Sequence, residues 1–176
     1  MTTQYKSSNS LKSTIQQQLS EFPGFSTLLK LQPDELQKIK QQIEYQWFSR
    51  IQEIAPEQAG EFKKRGIAHY HELSHLLDHG SIWSRNHRLL SESAVVELRK
   101  TSLFQQLEST FGSLLISDEE HPGKEVVHWR LVRPNQLSDV GPIHADKWFW
   151  DLNKWPIPSN RTRVKVWIAI VCEPGL

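Results

Sequence analysis

The chain has 176 residues, 38% of them hydrophobic and 23% charged, which is enough apolar material for one domain with a real core and excludes a disordered chain. Its formal net charge of +1 gives no electrostatic case for nucleic acid or an anionic membrane, and no apolar run approaches the roughly 18 residues of a membrane span. The start lacks the apolar stretch of a secretory signal, and the one cysteine, Cys172, excludes an intramolecular disulfide, so a reducing cytoplasm is the expected home.

Residues 1–10 are polar and are expected to form a disordered tail, with a helical support region over 11–112. Leu11, Ile15 and Leu19 recur at helical spacing before the Phe-Pro-Gly-Phe25 turn. The spacing of Leu36, Ile39, Ile43, Trp47, Ile51 and Ile54 predicts a helix from Asp34 to Ile54, with Pro33 in its first turn. A second helix is expected from about Pro56 to Asp78, carrying Phe62, Ile67, Tyr70, Leu73 and Leu77 on one stripe, with Gly80 as its C-cap. Trp83 anchors the connector that follows. Shorter helices are expected at 92–99 and 102–111, the latter opened by a Ser102–Gln105 capping box and stopped at Gly112.

From residue 113 the pattern changes. Leu114–Ser117 reads as a short strand and 118–124 as a turn. The run Val126–Pro134 is β-branched and aromatic and stopped by proline, and 161–171 places Val164, Val166, Ile168 and Ile170 on one face of a further strand. Helices first and strands last predict an α+β fold.

Between those strands stands Gly141-Pro-Ile-His144-Ala-Asp146. In an extended backbone, side chains two apart point the same way, so His144 and Asp146 are expected to aim an imidazole nitrogen and a carboxylate oxygen at one point. That donor pair suits a non-haem Fe(II) site of two histidines and one carboxylate. The order of a strand ending in Arg133-Pro134, then Gly-Pro-x-His144-x-Asp146, then Val166-Trp-Ile-Ala169 resembles the phytanoyl-CoA-dioxygenase-like branch of the Fe(II)/2-oxoglutarate-dependent oxygenases, over roughly 121–174.

That resemblance implies the first strands of a double-stranded β-helix, or jelly roll, over 113–176, incomplete at the C-terminus. It implies His144 and Asp146 as iron ligands, Trp167 beside the 2-oxoglutarate co-substrate, and hydroxylase-type oxidation of a small organic molecule. The family's distal histidine and its 2-oxoglutarate-binding arginine come later than Glu173-Pro-Gly-Leu176. The chain is therefore expected to be incomplete or inactive by itself, and unpaired sheet edges would favour self-association.

Two other readings compete. His71-Glu72-Leu73-Ser74-His75 has the spacing of a zinc metallopeptidase motif, with two imidazoles on one helix face and Glu72 as general base. On the helix wheel, however, His71, His75 and His79 lie opposite the apolar stripe, beside Lys64 and Asp78, as in a solvated row. The second alternative is a non-catalytic fragment or binding module. Arg130 and Arg133 offer charge to a carboxylate co-substrate or to surface ion pairs. Trp148, Phe149, Trp150 and Trp155 suit either a substrate wall or a core cap. Arg163 and Lys165 share the Trp167 face, and Cys172 suits a small buried hydrophobe.

Overall fold

The computed structural model describes residues 3–116, 123–144, 146–154 and 160–172, with the backbone alone described at 3–9, 146, 147, 149 and 150. Residues 118–122 of the turn expected at 118–124, with His121, and the positions of Ser117, Trp155 and Glu173–Leu176 lie outside the described residues. α1 spans Thr3–Ser20, so the segment expected to be a polar tail is helical from Thr3 onward. Among its described side chains Ile15 is the buried apolar one, where α1 meets α7 (Ser102–Phe111).

The centre of the fold is α2, Pro33–Ile54, which buries Ile39, Ile43, Trp47 and Ile51 as the 3–4 spacing predicts. Glu35 in its first turn accepts hydrogen bonds from the Gln32 backbone N–H at 3.1 Å, from Ser102 N–H at 2.6 Å and from Ser102 Oγ at 2.7 Å. One carboxylate thus joins the beginnings of α2 and α7. Thr101, and not Ser102, caps α7, accepting from Phe104 N–H at 3.3 Å; Gly112 ends the helix in the left-handed region at φ +87°. α6, Glu92–Arg99, starts at a Ser91 cap and buries Ala94, Val95 and Leu98 against α2.

The long second helix does not form. α3 covers Ala59–Arg65 and stops at Gly66, whose φ of +78° an L side chain rarely adopts. A 3-10 turn at Ile67–His69, a single helical turn α4 at Tyr70–Leu73, another 3-10 turn at Ser74–Leu76 and α5 at His79–Ile82 follow. Gly80 lies within α5 and caps nothing. These breaks turn the apolar residues inward one at a time, so Phe62 and Tyr70 are buried on Trp47 with edge-on ring contacts at 6.3 and 6.4 Å. The aromatic chain continues from Tyr70 to Trp83 at 6.2 Å and from Trp83 to Trp129 at 5.3 Å.

The expected jelly-roll strands are absent among the described residues, which are helical with extended connections. The fold is therefore not the α+β arrangement that the residue pattern from 113 onward implies. Among the described residues the backbone of the run at 126–131 pairs with the connector before α6. There Leu90 N–H donates to Val127 O at 2.8 Å and Trp129 N–H to Arg88 O at 2.9 Å, around one antiparallel bridge between Leu89 and His128. An Arg99–Glu125 ion pair ties this run to α6. The segment 161–172 has no regular secondary structure and is pinned at its start by Arg161 Nη1 donating to Ser113 O at 2.7 Å. A strand is realised only when a second one lies in register with it. Here the apolar sides of both runs, Val127, Leu131, Ile168 and Ile170, instead pack on the helical core. With no sheet among the described residues, the sheet edges expected to drive self-association are missing there too.

No helix among the described residues is long and apolar enough to cross a membrane.

Candidate functional site

The segment that carries His144 is built by a closed loop. Arg133-Pro134 leads into Asn135, which turns the chain at φ +56°, a conformation asparagine tolerates better than most residues. A 3-10 turn at Leu137–Asp139 then returns Asp139 to Arg133. The Asp139 carboxylate accepts three hydrogen bonds from that one residue: backbone N–H at 2.9 Å, Nε at 2.8 Å and Nη2 at 2.7 Å. Its side chain is 2% exposed and that of Arg133 17%. These donors outweigh the cost of burial and hold the Asp139 carboxyl down at about 2.

The loop is also tied to the helical body. His79 Nε2, at the start of α5, stands 3.6 Å from Asp139 Oδ2, an electrostatic contact longer than a hydrogen bond. On its other side, His79 Nδ1 is 3.1 Å from the Tyr70 hydroxyl, which accepts from Trp83 Nε1–H at 3.1 Å. The carboxylate opposite Nε2 favours the tautomer with its proton there, so Nδ1 accepts the Tyr70 proton. Burial pushes His79 below the usual histidine range, against the opposing pull of Asp139, and burial likewise pushes the Tyr70 phenol up. The result is a continuous polar line, Trp83–Tyr70–His79–Asp139–Arg133, running from the aromatic core to the motif segment. Arg130 adds a further tie, its Nη2 donating to Asp139 O at 2.7 Å.

Beyond Asp139 the chain passes Gly141 and Pro142 to His144, which is exposed. His144 Nδ1–H donates to Pro142 O at 2.6 Å. A carbonyl can only accept, so Nδ1 carries a proton. Asp146 is the first residue of α8, Asp146–Asn153, whose run Asp-Lys-Trp-Phe-Trp-Asp-Leu-Asn lacks glycine, proline and β-branched residues. Helix begins where extended backbone was expected. The period-two argument for aligning His144 with Asp146 therefore does not apply, and the Asp146 carboxylate itself lies outside the described side chains.

The remaining expected site residues are dispersed. Trp167 is 68% exposed, with Lys165 Nζ 5.0 Å over its ring. The spacing does put these two on one face, but not inside a barrel. Arg130 spends one amino group on the Asp139 carbonyl. Arg163 is half-buried, and Cys172 is exposed where a buried hydrophobe was expected. Trp148 is 57% exposed, so no aromatic wall forms from it among the described residues. A cavity of about 280 Å³ opens elsewhere, between α2 and α6, lined by Glu35, Lys38, Ile39, Leu90 and Glu97.

The zinc-peptidase motif loses its geometry. His71 lies in the single turn of α4 and His75 in the 3-10 turn that follows, so the α-helical i, i+4 register that would bring two imidazoles together is broken at Ser74. Glu72 is held by Arg65 at 2.9 Å and by His69 at 3.0 Å. His71 and His75 are exposed, as the wheel predicts, whereas His79 is turned inward by the chain breaks. Replacing His71 and His75 with glutamine is expected to change stability by no more than about 0.5 kcal/mol. A large fall in melting temperature with loss of stoichiometric zinc would show a structural metal there.

Among the described residues no group of three or more His, Cys, Asp or Glu is placed to hold one metal ion. In kind, one imidazole and one carboxylate, His144 and Asp146 correspond to two of the three protein ligands that a ferrous site of this type needs. Reasoning from sequence missed the roles of Asp139, Tyr70 and Trp83. The available signal was local: an Arg-Pro-Asn turn followed by an aspartate in reach of that arginine. Comparison with protein-family models, with curated proteins and with solved structures found no match.

Proposed function

We propose that the chain is an Fe(II)- and 2-oxoglutarate-dependent oxygenase acting on a small organic substrate, with His144 and Asp146 as metal ligands in a helical frame. The observation that carries this reading is the hydrogen bond at His144 Nδ1. Its Nδ1–H is spent on Pro142 O, the outer-shell bond that metal-bound histidines commonly make, which leaves Nε2 as the ring nitrogen a metal would take. Bound there, iron and the oxoacid would supply the oxygen-activating chemistry. The chain's own part is positional. Arg133 and His79 fix Asp139, and Asp139 fixes the start of the short segment that ends at His144. Arg130, bonded to the same turn, and exposed Trp167 are the residues offered to the co-substrate. One exposed cysteine and a near-neutral charge suit a cytoplasmic protein without a nucleic-acid partner.

Calorimetric titration of Mn²⁺, as an oxygen-stable surrogate for iron, tests the assignment. Wild type is expected to bind, and His144→Ala to bind at least about tenfold more weakly. Equal affinity in the two proteins would sink the proposal.

A further inference from the structure

We propose that Arg88, with Arg130 beside it, binds the anionic group of a small molecule, a carboxylate or a phosphate, next to the segment that carries His144. This does not rest on iron binding by His144 and Asp146. Arg85–Arg88 forms a 3-10 turn, in which residues three apart eclipse, so Arg85 and Arg88 share one edge. The hydrogen bond from Trp129 N–H to Arg88 O brings Arg130 to the same place from the neighbouring run. Three guanidinium groups therefore gather on one short stretch of the fold.

The surroundings of Arg88 differ from those of other arginines nearby. Arg133 has Asp139 and Arg99 has Glu125, each in a charge-assisted pair. Among the described residues no carboxylate pairs with Arg88, and its Nε is sealed from solvent without an acceptor. Burial, followed by the charges of Arg130 and Arg85, pushes Arg88 below the usual arginine range. A half-buried cation among like charges is unfavourable unless an anion compensates it. The planar guanidinium fork is suited to two parallel bonds with a carboxylate or phosphate. The charge of Arg88 is also felt at His79, and Arg130 is bonded to Asp139 O, so the bound anion would stand beside the polar line that anchors the motif.

The test uses metal-free protein in the presence of a chelator, which separates its outcome from that of the Mn²⁺ titration. Inorganic phosphate and succinate are titrated by calorimetry and thermal shift at constant ionic strength, with sodium chloride as the reference. Wild type is expected to respond saturably to at least one of them, and the stronger response distinguishes a phosphate from a carboxylate ligand. Arg88→Gln and Arg130→Gln are each expected to weaken that binding about tenfold, while the exposed Lys64→Gln leaves it unchanged. No response beyond chloride in wild type would overturn the proposal. So would unchanged binding in Arg88→Gln or, should that variant not fold, in Arg130→Gln.

Discussion

Asp139→Ala is expected to lower unfolding stability by about 3 kcal/mol, because it strands the largely buried Arg133 guanidinium and an adjacent backbone N–H without their acceptor. Much of that loss would come from the uncompensated charge, so the double variant Asp139→Ala with Arg133→Met should lose less than Asp139→Ala alone. Urea titration of the three proteins measures both quantities. A loss under about 1 kcal/mol for the single variant would mean that this pair behaves as an ordinary surface ion pair. The pH dependence follows from the same contact. The carboxyl falls from an ordinary 3.8 to about 2 in the fold, so the unfolded chain binds the proton more readily between those values. The stabilisation, on the order of 2 kcal/mol, is present above pH 3.8 and is lost as the pH falls towards 2. Asp139→Ala should remove that acid-sensitive part of the curve. Because Asp139 precedes His144 by one short turn, the substitution should also weaken Mn²⁺ binding, although it touches no metal ligand.

Trp47→Ala is expected to cost about 4 kcal/mol, since Trp47 is 3% exposed and contacts Phe48, Phe62 and Tyr70 at the centre of the core. Trp47→Phe should cost far less, about 1 kcal/mol. The indole Nε1–H is buried without an acceptor, so removing it relieves a desolvation cost while the ring edges that meet Phe62 and Tyr70 are largely kept. Thermal unfolding of the two variants separates these terms. A Trp47→Phe loss equal to that of Trp47→Ala would show that the indole N–H has a partner that matters. The aromatic chain gives this core substitution a functional reach. Tyr70 contacts Trp47 on one side and His79 on the other, so a collapse at Trp47 should loosen the anchor of the motif segment as well.

Where local spacing carries the information, the residues alone determined the structure. The stripe Ile39, Ile43, Trp47 and Ile51, and the short helices Glu92–Arg99 and Ser102–Phe111, follow from 3–4 periodicity and strong stop signals that need no distant partner. Other features depend on which segments meet. The run at 126–134 is β-branched and aromatic and that at 161–171 alternates β-branched residues, but such patterns state only which residues are apolar. The helical core takes up Val127, Leu131, Ile168 and Ile170, and no ladder forms among the described residues. The break at Gly66, which turns His79 from a solvated row into the partly buried neighbour of Tyr70 and Asp139, also lies beyond a helix wheel, because a wheel assumes the helix continues. The same holds for the candidate site. His144 stood out by its motif, but its proton on Nδ1 comes from the fold of Pro142, and its anchoring comes from an aspartate, an arginine and a histidine that only the tertiary structure brings together.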